Sequence, residues 1–237
     1  MHPLKKAAHL AGALYLPVVL AGPFVLLYVP GKLFVAGDAT ATARNILAHE
    51  SLFRAHIAVG LVSQLLFVAV ALALYRLLKG VSVELATVMV IVILLDAPLA
   101  FLSLANEVAT LTFLRGPEFL SVFDPPQRDA LALLLIQFER KGVFVSEIFW
   151  GLWLLPLGAL VYRSRFLPRL LGVWLLVNGV AYLAISTTGL LVPQSLKAVT
   201  MIATPALFGE VALMLWLLIV GARVHPEEFA GPPPSQG

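Results

Sequence analysis

The chain has 237 residues, 60% of them hydrophobic and 12% charged, with a mean hydropathy of +0.96, a balance that water-soluble domains of this size do not sustain. Sixteen Lys and Arg against 13 Asp and Glu leave a formal charge of +3, too small and too scattered to point to nucleic acid as a partner. The absence of cysteine excludes disulfides, thiol nucleophiles, iron–sulfur ligation and Cys-based zinc sites.

A helix needs about 20 apolar residues to cross a hydrocarbon core roughly 30 Å thick. Six runs of that kind are present, approximately Ala7 to Tyr28, Leu52 to Leu74, Val83 to Leu114, Val143 to Val161, Leu167 to Ile185, and Ala198 to Val220. The first follows Lys5 and Lys6 as a signal peptide would, but it exceeds the usual ~7 to 15 apolar residues of such a segment and is read as an uncleaved span. The expected fold is therefore an all-α polytopic bundle of six spans. Residues 1–223 form one transmembrane domain, and 224–237, ending in "GPPPSQG", form a disordered tail.

Short basic connections carrying Arg76, Lys79, Arg163, Arg165, Arg169 and Arg223 alternate with longer ones. With Lys5 and Lys6 they place both termini in the cytoplasm by the positive-inside rule. The longer connections should carry short helices on the outer face. Between spans one and two, Asp38 is placed to cap a helix running through Leu47. Between spans three and four, Asp124 with Pro125 and Pro126 reads as a cap and first turn for "QRDALALLLIQFER". That segment and the fourth span are together too long to cross straight, so a break is expected at Gly142, leaving the first part interfacial or re-entrant. "LALYRLLK" (72–79) and "ALVYRSRF" (159–166) both end in Tyr-Arg, as interfacial Tyr and anchoring Arg would at the cytoplasmic end of a span. Gly151 and Gly158, and Gly172 and Gly179, are seven apart and predict smooth helix faces for close packing.

Depth follows from the helical rise. Asp96, Glu147 and Glu210, on three spans, all fall roughly 20 to 24 Å from the cytoplasmic anchors, with Gln64 and Asn178 at about 18 and 14 Å. An ionised carboxylate at such depth costs at least ~2.5 to 3.5 kcal/mol, so these groups should face the interior and be protonated, paired or wetted. Pro98 and Pro205 lie near two of the acids, as in the broken helices around which carriers build sites. A second layer, higher by the same count, gathers His49, Glu50, Arg54, His56, Glu107 and Arg140, and Glu107 is expected to pair with Arg54 or Arg140.

Chemistry beyond this is sparse. "HESLFRAH" (49–56) approaches a zinc-protease signature, but Phe53 stands where the second His belongs, and no metal site is expected. Phosphate-cradling loops, nucleophile elbows and dinucleotide fingerprints are missing from the sequence, so no catalytic residue or cofactor is assigned.

Four segments carry a resemblance: "AAHLAGALYL" (7–16), "GDATATARNILAHESLFR" (37–54), "LVYRSRFLPRLLGVWLLVNGVAYL" (160–183) and "TPALFGEVALMLWLLIVG" (204–221). Together they resemble the bacterial integral membrane family catalogued as domain of unknown function 4386. The resemblance implies a bacterial cytoplasmic-membrane protein of about six spans, with Glu50, Arg54, Arg163, Arg169 and Glu210 at positions of the family pattern. It implies no activity.

The leading expectation is a non-enzymatic protein that binds or moves a small molecule. Asp96, Glu147 and Glu210 would be its proton- or ligand-coupled groups, and the outer cluster would pair or gate. Partners would be the lipid bilayer, a small-molecule or lipid ligand and a second copy of the chain. The alternatives are a structural or partner subunit of a membrane complex, and an intramembrane enzyme acting on lipid through His49, Glu50 and His56.

Overall fold

The computed structural model describes residues 2–223, and the expected tail, 224–237, lies outside the described residues. Among the described residues there is no strand. Six helical segments are long and apolar enough to cross a membrane: Pro3–Leu33, Glu50–Leu78, Val83–Arg115, Pro125–Arg163, Arg169–Leu191 and Pro193–Ile219. All-α architecture and a six-span count thus follow from the hydropathy pattern as expected.

The first span is α1 (Pro3–Pro23), a wider π turn over Phe24–Tyr28, and α2 (Val29–Leu33). Pro23 has no N–H to donate, and the wider turn begins one residue later, where the regular ladder has just lost a bond. Helix α3 (Ala39–Ala48) is capped by Asp38, whose carboxylate accepts the Ala41 amide at 2.8 Å. Helices α4 (Glu50–Leu78) and α5 (Val83–Arg115) are each one unbroken span, and α5 absorbs Pro98 without interruption.

Helix α6 (Pro125–Arg163) departs from expectation. Its start is the predicted one: Asp124 accepts the Gln127 amide, and the Gln127 side chain in turn accepts the Asp124 amide, closing a capping box. It then runs 39 residues with no break at Gly142, so the segment before that glycine is neither a separate outer helix nor a re-entrant one. Glycine weakens a helix by about 1 kcal/mol relative to Ala but keeps its N–H and its ladder bond. Its bare face here lies beside Ser103 of α5, whose Oγ is 3.6 Å from where a Cβ would stand. At about 1.5 Å per residue α6 is roughly 58 Å long, nearly twice the hydrocarbon thickness. One face of the excess is covered: α6 packs on α3, with Ala132 and Ile136 in one buried cluster with Ile46, Phe53 and Leu111.

Helix α7 (Arg169–Leu191) returns antiparallel to α6, and the last span is split into α8 (Leu196–Leu207) and α9 (Gly209–Ile219). The spans close a ring in chain order, the first packing on both the second and the last. Trp153 of α6 fills the middle, 0% exposed, edge-on to Phe67 of α4 and Tyr15 of α1.

The α6–α7 seam uses the glycines as expected. A Cβ on Gly151 would lie 2.7 Å from the Gly179 carbonyl, and one on Gly158 would lie 2.9 Å from the Gly172 carbonyl. As one partner advances seven residues the other retreats seven, the register of an antiparallel pair in backbone contact. Outward, large apolar side chains such as Leu27, Leu191 and Ile202 stand 71 to 81% exposed. Six long spans wearing apolar side chains outward describe a multi-pass membrane protein.

Candidate functional site

The last span breaks beside its acid. Pro205 withdraws one donor from α8, Phe208 leaves the helical ladder, and α9 restarts at Gly209, which places Glu210 in its first turn. There the free amides of a helix start favour a carboxylate. The carbonyl of Leu207, orphaned by the break, accepts the Asn178 side-chain amide from α7 at 3.4 Å, and Asn178 is fully buried. The interruption is therefore held by a side chain on a neighbouring span.

Glu210 itself accepts a hydrogen bond from the Tyr15 hydroxyl of α1, and the Tyr182 hydroxyl of α7 faces the same carboxyl. Tyr182 lies edge-on to Trp150 of α6, ring centroids 5.8 Å apart, and Trp150 Nε1 donates to Asp96 Oδ2 of α5 at 3.3 Å. Ser146, one turn before Trp150, borders the Asp96 carboxyl, and Glu147 faces Tyr182. The structure thus strings Tyr15, Glu210, Tyr182, Trp150 and Asp96 across five helices. Asp96 is 1% exposed, while Glu147 and Glu210 are half-buried.

The polar groups of the bundle interior are incompletely satisfied. Asp96 Oδ1, Glu147 Oε2, Gln64 Nε2 and Asn178 Oδ1 are buried without a hydrogen-bond partner among the described residues. Such atoms cost free energy unless water, a proton or a ligand meets them.

The second layer differs from expectation. Glu107 is paired with neither Arg54 nor Arg140. Its Oε1 lies 3.0 Å from His56 Nε2, the two side chains 8% and 3% exposed. Phe53 stacks on the imidazole at 6.0 Å, and Glu139 of α6 faces the same pair. The reason is reach and solvation. A guanidinium on a long stem extends to water at lower cost than it enters a closed interface, and both Arg54 and Arg140 are exposed, whereas the compact imidazole can be sealed in. Arg54 meets Glu50 one turn back at 2.7 Å, and Arg115 of α5 reaches the same carboxylate at 2.5 Å. Arg140 makes no ion pair among the described residues.

His49 is exposed, with Nδ1 3.1 Å from the Asn45 carbonyl. His49, Glu50 and His56, the residues of the alternative lipid-enzyme reading, therefore engage separate partners. Two clefts open elsewhere: one of about 440 Å³ at the end holding Leu4, Val81 and Phe166, and an apolar one of about 270 Å³ between α1 and α4.

Tyr15, Tyr182, Trp150, Ser146 and Arg115 are the residues that sequence reasoning overlooked as site members. Tyr15 could have been flagged, since a phenol in the middle of an apolar span needs an acceptor within the protein.

The pattern of the family described as Domain of unknown function (DUF4386) matches residues 10–221. The chain belongs to that family. No curated protein and no solved structure matches it. In this DUF4386 member, the segments that carried the resemblance supply Glu50 and its partner Arg54, Arg163 at the 440 Å³ cleft, and Glu210 at the helix break.

Proposed function

We propose that this protein binds or moves a small molecule across a bacterial cytoplasmic membrane, with Asp96, Glu147 and Glu210 as proton- or ligand-coupled groups. Gln64 and Asn178 are polar partners at neighbouring depth. His49, Glu50, Arg54, His56, Glu107 and Arg140 form the outer cluster that pairs or gates, both termini are cytoplasmic, and two copies associate. One observation carries the reading: three carboxyl-bearing helices joined through Tyr182 and Trp150 beside a broken span, with buried polar atoms left unmet. Polar side chains held only for packing would be expected to close their hydrogen bonds.

A second reading, a structural subunit of a membrane complex, is favoured by the Tyr15 and Trp150 hydrogen bonds that tie Glu210 and Asp96 to neighbouring spans, as polar groups that hold helices together would be. Reconstitution separates the two. The full chain in liposomes enclosing a pH-sensitive dye is given a potassium diffusion potential, and proton entry is followed. The proposed function predicts entry above empty liposomes, lost in Asp96→Asn and Glu210→Gln. Entry no faster than in empty liposomes, with both variants merely less stable, selects the structural reading.

A further inference from the structure

One end of the bundle collects the start of α1, the residues that follow α9 up to Arg223, and two short connections. Leu4 of α1, Leu77 and Val81 around the α4–α5 turn, and Arg163, Arg165 and Phe166 of the α6–α7 turn line the cleft of about 440 Å³. The Arg223 amide donates to the Phe166 carbonyl at 2.9 Å, fastening the end of the last span to the same turn.

This end is strongly basic, and three of its cations lie over aromatic rings. Lys79 lies over the Tyr75 ring at 5.9 Å, Arg169 over Tyr162 at 5.8 Å, and Arg223 over Trp216 at 4.7 Å. The acid at this end among the described residues, Glu84, takes the Ser82 hydroxyl at 2.7 Å. Arg163 and Arg165 are the cations that line the cleft. Both are exposed, and neither has an ion pair, hydrogen bond or ring contact among the described residues.

The turn that presents them is built rather than slack. Ser164 is 5% exposed, its hydroxyl donates to the Val161 carbonyl at 2.9 Å, and its Oγ accepts the Leu167 amide at 3.2 Å. Arg165 is held at φ +58°, the one described non-glycine residue with a positive φ. Glycine holds that conformation freely and other residues rarely do, so an arginine kept there points to a use for its side chain.

We propose that this cleft holds the phosphodiester of an anionic phospholipid headgroup, with Arg163 and Arg165 as its two cationic ligands. Guanidinium groups match phosphate oxygens in a planar fork. The remaining wall, Leu4, Leu77, Val81 and Phe166, suits the glycerol and first acyl carbons of a lipid better than a hydrated free anion. Basic pockets between helix ends are a recurring geometry for such headgroups.

The test is native mass spectrometry of the full-length protein released from detergent after incubation with phosphatidylglycerol, phosphatidylcholine or inorganic phosphate. The wild type should retain phosphatidylglycerol in preference to phosphatidylcholine. Arg163→Gln and Arg165→Gly should each weaken retention about fivefold, and about 25-fold together, the size expected for one basic side chain each at a membrane surface. Arg165→Gly also relieves the backbone, so its melting temperature should match or exceed that of wild type while binding falls, which separates lost binding from lost fold. A Lys79→Gln/Arg169→Gln pair removes equal charge outside the cleft and should retain the lipid. Equal loss in that pair, unchanged retention in Arg163→Gln/Arg165→Gly, equal retention of phosphatidylcholine, or retention of inorganic phosphate without preference for lipid would each overturn the proposal.

Discussion

Removing the Tyr15 hydroxyl isolates the bond on which the interior network turns. In Tyr15→Phe the ring keeps its contacts with Phe67 and Trp153, at centroid distances of 6.4 and 6.3 Å, so packing is preserved and only the donor to Glu210 is lost. Two opposing magnitudes apply. An orphaned buried acceptor costs about 1 to 3 kcal/mol, whereas measured interhelical hydrogen bonds in membranes average ~0.6 and reach ~1.7 kcal/mol because the acceptor finds other partners. Here Tyr182 already faces the same carboxyl and can take over as donor, which favours the lower range. The expected coupling between Tyr15→Phe and Glu210→Gln in a double-mutant cycle is therefore about 0.6 to 1.7 kcal/mol. With Tyr182→Phe added, the loss should exceed the sum of the two tyrosine changes, since no donor remains. The assay is reversible unfolding in mixed micelles, followed by tryptophan fluorescence. Additivity of Tyr15→Phe and Glu210→Gln within about 0.3 kcal/mol would show that the hydroxyl and the carboxyl do not communicate, and the network argument would fail.

Two further outcomes test the frame that positions the site. Gly172→Ala would put its Cβ 2.5 Å from the Tyr162 backbone nitrogen, whereas Gly22→Ala meets nothing within 4 Å. The first should lose about 1 to 3 kcal/mol and the second should gain up to about 1 kcal/mol in the same unfolding assay, and equal effects would refute the close α6–α7 seam. Gly142→Pro should cost about 3 kcal/mol or more if α6 is continuous there, and a near-neutral proline would restore the break that the structure lacks.

How much of this was legible in advance varies by element. The six spans, the Asp38 and Asp124 caps and the glycine register could be read because each depends on residues within a few turns of one another. The continuity of α6 could not: Gly142 and the length limit argued for a break, and only the cover that α3 provides explains why a helix twice the membrane thickness stays whole. Depth counting put Asp96, Glu147 and Glu210 in one layer, but a count along a helix carries no azimuth. It could not name Tyr15, Tyr182 and Trp150 as the groups between them. For Glu107 the count offered Arg54 and Arg140 by charge alone, and the structure chose His56.

Composition and periodicity settled the solvent and the number of crossings and gave the polar groups their expected heights, because hydropathy and rise per residue are properties of the chain alone. The pairing of those groups was decided in three dimensions. It depends on how far each helix is rotated toward its neighbours, on the break at Phe208 that turns Glu210 toward Tyr15, and on which side chains can be sealed from water. All of these are set by packing between residues up to 195 positions apart.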